Sequence, residues 1–178
     1  MARSTMPFWL HECPSCGYVA EDISEIDEPT STLIASVEFE HLQNDQSLKG
    51  LELKFLKRGY LDSELGDSKN AALHFLYAAW ATDDAGNQFG AKKHRSKAAS
   101  FFLQLISEIP QTSEEFPLLS TQLIDVYRRA GEWDKAISVA NDLLNTELNE
   151  TVRAVVKFEK RLATNEDNDC YTIEDALK

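Results

Sequence analysis

Two cysteines raise the first chemical question. They stand in "HECPSCGY", residues 11–18, with two residues between Cys13 and Cys16. In a zinc knuckle this spacing turns the backbone so that amide N–H groups point at the thiolates. A proline fixes φ after the first ligand, and a glycine takes the left-handed conformation after the second. Pro14 and Gly17 occupy those places. A redox pair of the same spacing belongs at the start of a helix in a β-α-β setting, and the following "GYVAEDI" offers no such pattern. Zinc therefore ranks above redox chemistry for Cys13 and Cys16, with two free thiols as the plainest alternative. A structural zinc takes four ligands. His11 lies only two residues before Cys13, His41 sits in a helix-like segment, and Cys170 lies in an acidic C-terminal stretch. The chain offers half of a zinc site.

Little else in the chain speaks of catalysis. It carries no HExxH, no paired-carboxylate motif, no phosphate-binding glycine loop and no GxSxG motif. His74 and His94 read as helix-surface or groove residues, and Asp83 and Asp84 as helix-end acids. A non-enzymatic protein is the favoured reading. The alternative is a metal-dependent or redox protein that uses Cys13 and Cys16.

The net charge is -12. Residues 1–30 hold six acids against Arg3, and residues 163–178 hold five against Lys178. Phosphate contacts need clustered Lys and Arg, so nucleic acid is excluded as a partner. The one basic run, "KKHRSK" at 92–97, reads as the wet face of a helix. No apolar run approaches the roughly 18 residues of a membrane span, and the N-terminus does not read as a signal peptide. Three cysteines, an odd number, make a poor disulfide framework and suit a reducing cytoplasm.

Periodicity predicts an all-α protein of antiparallel helical hairpins in a tetratricopeptide-like stack, with a short irregular or β knuckle segment at the N-terminus. The expected organisation is a knuckle segment at 1–28, a helical domain at 29–165 and an acidic tail at 166–178. Pro29 marks the first boundary, with Thr30 or Ser31 as the cap beyond it. One helix is expected over 32–44 and a stronger one over 47–65. "NAALHFLYAAWATDDAG" then places Ala72, Phe75, Leu76, Ala79 and Trp80 on one stripe. A helix with Ala98, Phe101, Phe102, Leu105 and Ile106 follows and stops at Pro110. Beyond it, 118–144 divides into two helices around Gly131, and a further helix starts near Asn149.

The 118–144 segment resembles a tetratricopeptide repeat, in which a glycine makes the tight turn and small residues let two helices touch. Tyr127, Gly131, Trp133 and Ala136 match its pattern, whereas Ile124 and Leu148 replace its small residue and its proline. An earlier pair, 69–83 and 90–109, is a stretched copy whose loop "DDAGNQFG" is longer than a repeat allows. Such arrays present a concave face to a peptide. His74, Tyr77, Gln122 and Tyr127 are the candidate partner-binding residues, and the acidity of the chain favours a basic partner segment.

The order of "PFWLHECPSCGYVAEDIS", "FLKRGYLDSELGD", "FLYAAWATDDAG" and "LLSTQLIDVYRRAGEWDKAI" resembles the bacterial proteins grouped as domain of unknown function 2225. The resemblance covers nearly the whole chain and implies a cytoplasmic protein with a cysteine knuckle and tetratricopeptide-like helices. It brings no activity with it. It also implies a second Cys-x-x-Cys some tens of residues upstream, and this chain has no counterpart to that pair. Two chains sharing one zinc, two cysteines from each, would then form a homodimer through the knuckle.

Overall fold

Helix ends, more than helix faces, decide how this chain folds. The computed structural model describes residues 3–178. A 3-10 turn (Arg3–Phe8) leads into an antiparallel ribbon of β1 (His11–Glu12) and β2 (Val19–Ala20). Nine α-helices follow among the described residues: α1 (Glu28–Ile34), α2 (Val37–Asn44), α3 (Gly50–Glu64), α4 (Ser68–Asp84), α5 (Gln88–Glu108), α6 (Glu115–Ala130), α7 (Trp133–Leu144), α8 (Glu150–Thr164) and α9 (Ile173–Ala176). The chain is all-α with a short N-terminal β segment, and none of its described helices is long and apolar enough to cross a membrane. It divides into two compact units, 1–94 and 95–178. The boundaries expected at 28/29 and 165/166 fall inside these units.

In the first unit, α1 and α2 pack on α3, and α3 pairs with α4 as a hairpin. Gly59 makes the pairing close, since a Cβ there would lie 3.3 Å from the Phe75 ring. Ala71, Ala72, Ala78 and Ala79 are fully buried and keep one side of α4 flat. The ribbon is part of this core. Tyr18 and Ala20 pack with Phe39 and Leu61, and Cys13, Ile23, Leu33, Ile34 and Tyr60 close around them.

Two expectations for this region need correction. The α1 helix starts before Pro29, because the Asp27 carboxylate caps it by accepting from the Thr30 amide at 2.8 Å. Proline is tolerated in a first helical turn, where its missing N–H would have no partner. The single helix expected over 32–44 is two helices, broken where the Ser36 hydroxyl accepts from the Phe39 amide and starts α2.

One reversing turn recurs at helix ends. After α3, Gly66 takes φ +79° and the Asp67 amide donates to the Asp62 carbonyl at 2.8 Å. After α4, Gly86 takes φ +78° and Asn87 donates to Thr82 at 3.0 Å. After α6, Gly131 takes φ +83° and Glu132 donates to Tyr127 at 2.9 Å. This is the Schellman arrangement, which satisfies carbonyls that a helix end leaves open. Five residues beyond each glycine stands a fully buried alanine: Ala71, Ala91 and Ala136. The loop read as too long for a repeat is therefore short. α4 runs on to Asp84 and α5 begins at Gln88, leaving only 85–87 between them.

In the second unit, α6, α7 and α8 pack on one another. Arg128 of α6 is fully buried. Its guanidinium donates to the Glu159 carboxylate on α8, to Asp125, and to the carbonyls of Asp167 at 2.8 Å and Asp169 at 3.0 Å. Tyr171 packs edge-on against Phe158 and lies beneath the Arg128 guanidinium. The stretch read as an acidic tail is thus pinned to the helices, and Thr172 caps α9 in a capping box with Asp175. Burial pushes the Glu159 carboxyl up, and the Asp125 charge adds to this while Arg128 opposes it.

The basic run is likewise not all wet. His94 meets Glu52 at 2.7 Å and Arg95 is buried.

Two outcomes are expected. Arg128→Ala leaves Glu159 buried without its cation, which should cost about 3–5 kcal/mol. Limited proteolysis should then cut within 166–178 well before the helices. The reversing turn after α8 has Glu166 at φ 54° where the other three have glycine, and left-handed backbone costs a side-chain-bearing residue about 1–2 kcal/mol. Part of that gain is lost to the freer unfolded chain, so Glu166→Gly should stabilise by about 0.5–1 kcal/mol, read as a higher urea midpoint at unchanged m-value.

Candidate functional site

The knuckle is built by the ribbon turn. The Cys13 amide donates to the Tyr18 carbonyl at 2.8 Å, and the Gly17 amide reaches back to the Cys13 carbonyl at 2.9 Å. Gly17 takes φ +74°. The amide N–H groups of Cys16 and Ser15 face the Cys13 sulfur and hold its thiol below the ordinary value. Cys13 is half-buried against the core, whereas Pro14, Ser15 and Cys16 are exposed at the tip. Among the described residues, no group of three His, Cys, Asp or Glu could hold a metal ion. All three cysteines are free thiols. Cys170 is exposed and belongs to the second unit.

A buried lysine fixes the knuckle from below. Lys57 of α3 is only 1% exposed. Its ammonium donates to Glu12 Oε1 at 2.7 Å and to Gln43 Oε1 at 3.2 Å, and it lies 5.7 Å from the centroid of the Phe39 ring. A Cβ on Gly17 would lie 1.8 Å from the same Gln43 oxygen and 3.1 Å from the ammonium. The charge is admissible there because its donors are matched to a carboxylate, an amide oxygen and an aromatic face.

Of the four residues read as partner-binding, two meet. His74 and Tyr77 lie 5.9 Å apart, centroid to centroid, in an aromatic cluster of the first unit with Trp9, Phe55 and Trp80. His74 Nδ1 sits 2.6 Å from Asp62 Oδ2. Asp62 is fully buried, with Arg58 at 2.6 Å on its other oxygen. A carboxylate-oriented imidazole can serve as a base. Here its ring stacks on Phe55 and meets Tyr77 edge-on, which is the environment of a packing residue. Tyr77 is half-buried, and burial pushes its phenol up.

The other two lie on α6 in the second unit. Gln122 is exposed, while Tyr127 is a core residue at 6% exposure with Lys135 over its ring. Its hydroxyl is pushed up chiefly by burial.

A concavity lies elsewhere. In the second unit, a groove of about 660 Å³ runs between the C-terminal half of α5, α6 and the end of α7. Leu103, Ile106, Phe116, Leu123, Val139 and Leu143 supply its apolar surface. None of His74, Tyr77, Gln122 and Tyr127 lines it. Its sequence signal was a second stripe on α5, Leu103 and Ile106 at a spacing of three, beside the buried stripe that holds Ala98 and Phe102. Asp142 is the one charged residue among those that line it.

No protein-family model, no curated protein and no solved structure matches this chain.

Replacing Gly17 by alanine tests how tightly the knuckle is set. Left-handed strain of about 1–2 kcal/mol, with displacement of Gln43 from Lys57, should lower stability and shift the Cys13 and Cys16 amide resonances. Unchanged stability and an unshifted spectrum would show that the turn tolerates a side chain.

Proposed function

We propose that this chain is a non-enzymatic protein-interaction module. Its groove between α5, α6 and α7 takes an amphipathic, basic segment of another protein. The observation that carries this reading is an apolar floor whose one charged lining residue is the acid Asp142. Apolar side chains of the partner fill the floor, and a Lys or Arg of the partner meets Asp142. Leu103 is 49% exposed in the free chain, so a partner has apolar area to cover there. Complementary charge adds to the rate and specificity of such an encounter.

The wider class is a tetratricopeptide-like helical scaffold. In support, the same glycine turn and buried alanine recur at Gly66, Gly86 and Gly131, a repetition by which helical arrays form their surfaces. The resemblance to domain of unknown function 2225 points the same way, through "CPSCGY" at 13–18 and "AAWATDD" at 78–84. Three free cysteines suit a reducing cytoplasm.

A synthetic amphipathic helix of Leu and Lys is the probe, with a Ser and Lys peptide of equal charge as control. Fluorescence anisotropy should show saturable binding of the first alone, weakened by added salt. Leu103→Asp puts a charge on the floor and should weaken that binding by about tenfold or more. The position is half exposed, so circular dichroism of the variant should match the parent. Equal binding of both peptides, or no effect of Leu103→Asp, would overturn the assignment.

A further inference from the structure

We propose that Cys13 and Cys16 are two of the four ligands of a zinc ion shared between two copies of this chain. The inference is independent of the groove, which lies in the other unit.

The argument starts from how finished the half-site is. Gly17 at φ +74° and the Gly17-to-Cys13 backbone bond close the turn that a zinc knuckle requires. Two amide N–H groups already face the Cys13 sulfur, where they would share the negative charge of a metal-bound thiolate. Beneath it, Lys57 is buried and bonded to Glu12, which flanks Cys13, and to Gln43, which abuts Gly17. A pair of free thiols needs no such support.

Within residues 3–178 the half-site lacks companions. Among the described residues no third His, Cys, Asp or Glu is placed to join the pair in one chain. A zinc held by two thiolates alone leaves two tetrahedral positions to water, which is a weak structural site. A second copy supplies the missing pair through the same surface. That is the isologous contact of a two-fold dimer. The geometry allows the approach, because Pro14, Ser15 and Cys16 project from the ribbon tip and are exposed. As the ion binds, four thiols release four protons to solvent and four Zn–S bonds form, with no change of oxidation state.

The neighbourhood adds a constraint. Glu12, Glu21, Asp22 and Glu25 flank the knuckle, and each chain carries a net charge of -12. Two copies therefore repel, and screening by salt should favour the zinc-linked dimer. Basic-peptide binding in the groove should respond to salt in the opposite sense.

The test uses the full, reduced chain titrated with zinc and read by native mass spectrometry and sedimentation. The expected result is a dimer with one zinc per two chains, reversed by a chelator and strengthened by moderate salt. Cys13→Ser with Cys16→Ser should leave a monomer that binds no zinc and keeps the helical circular dichroism of the parent. Cobalt titration of the unaltered chain checks the ligand set without a substitution. Its thiolate-to-metal absorption should saturate at one cobalt per two chains, at the intensity of four sulfur ligands. A monomer holding its own zinc, a chain that takes up no zinc, or zinc uptake that survives loss of both cysteines would each overturn the proposal.

Discussion

The reversing turn at the end of a helix is the constraint on which the rest of this structure depends. An amide just beyond the helix must return to a carbonyl five residues back, and this happens only if the residue between them is left-handed. Once Gly66, Gly86 and Gly131 satisfy that condition, the following helix has one direction in which to leave. Each new helix then lays a fully buried alanine, Ala71, Ala91 or Ala136, within its first turns. The alanines act second: they permit close packing, whereas the turns dictate which helices come to pack.

Two ionic groups are buried on quite different terms. Lys57 is a cation under a surface ribbon, with a partly exposed carboxylate as its partner. Arg128 is a cation within helices, matched to a buried carboxylate and two carbonyls of a non-helical segment. Both cost desolvation that good geometry offsets. Both also join a segment outside the helices to a helical frame: the β1 strand at Glu12 and the residues after α8.

This contrast explains which parts of the molecule could be read from the sequence. α4 was legible because Ala72, Phe75, Leu76 and Ala79 repeat at helical spacing and are all buried. The Gly131 turn was legible because its residues are adjacent in the chain. The break between α1 and α2 was not, since "TLIASVEFE" remains apolar enough to pass as one helix and only the Ser36 side-chain bond ends it. The burial of Lys57 was also hidden, because Glu12 lies 45 residues away and lysines are ordinarily at the surface. The cysteine pair was plain at once, and so was its lack of companions. The groove escaped notice because it is made by three helices whose mutual placement no local pattern reports. Of the residues first read as binding, His74 and Tyr77 join an aromatic cluster, Tyr127 packs in the core, and Gln122 is exposed.

The placement of Arg128 has a consequence for synthesis. Its carbonyl partners lie 39 and 41 residues further along the chain. Chains emerge from the ribosome in order, and units tend to fold as they are completed. The first unit can close while translation continues. The second cannot close fully, because the guanidinium at its centre lacks two of its acceptors until the residues beyond α8 have emerged. For that interval α6, α7 and α8 can pack with Asp125 and Glu159 as the only partners of that cation. The emergence of one short non-helical segment, in effect, sets the moment at which this unit becomes a folded body.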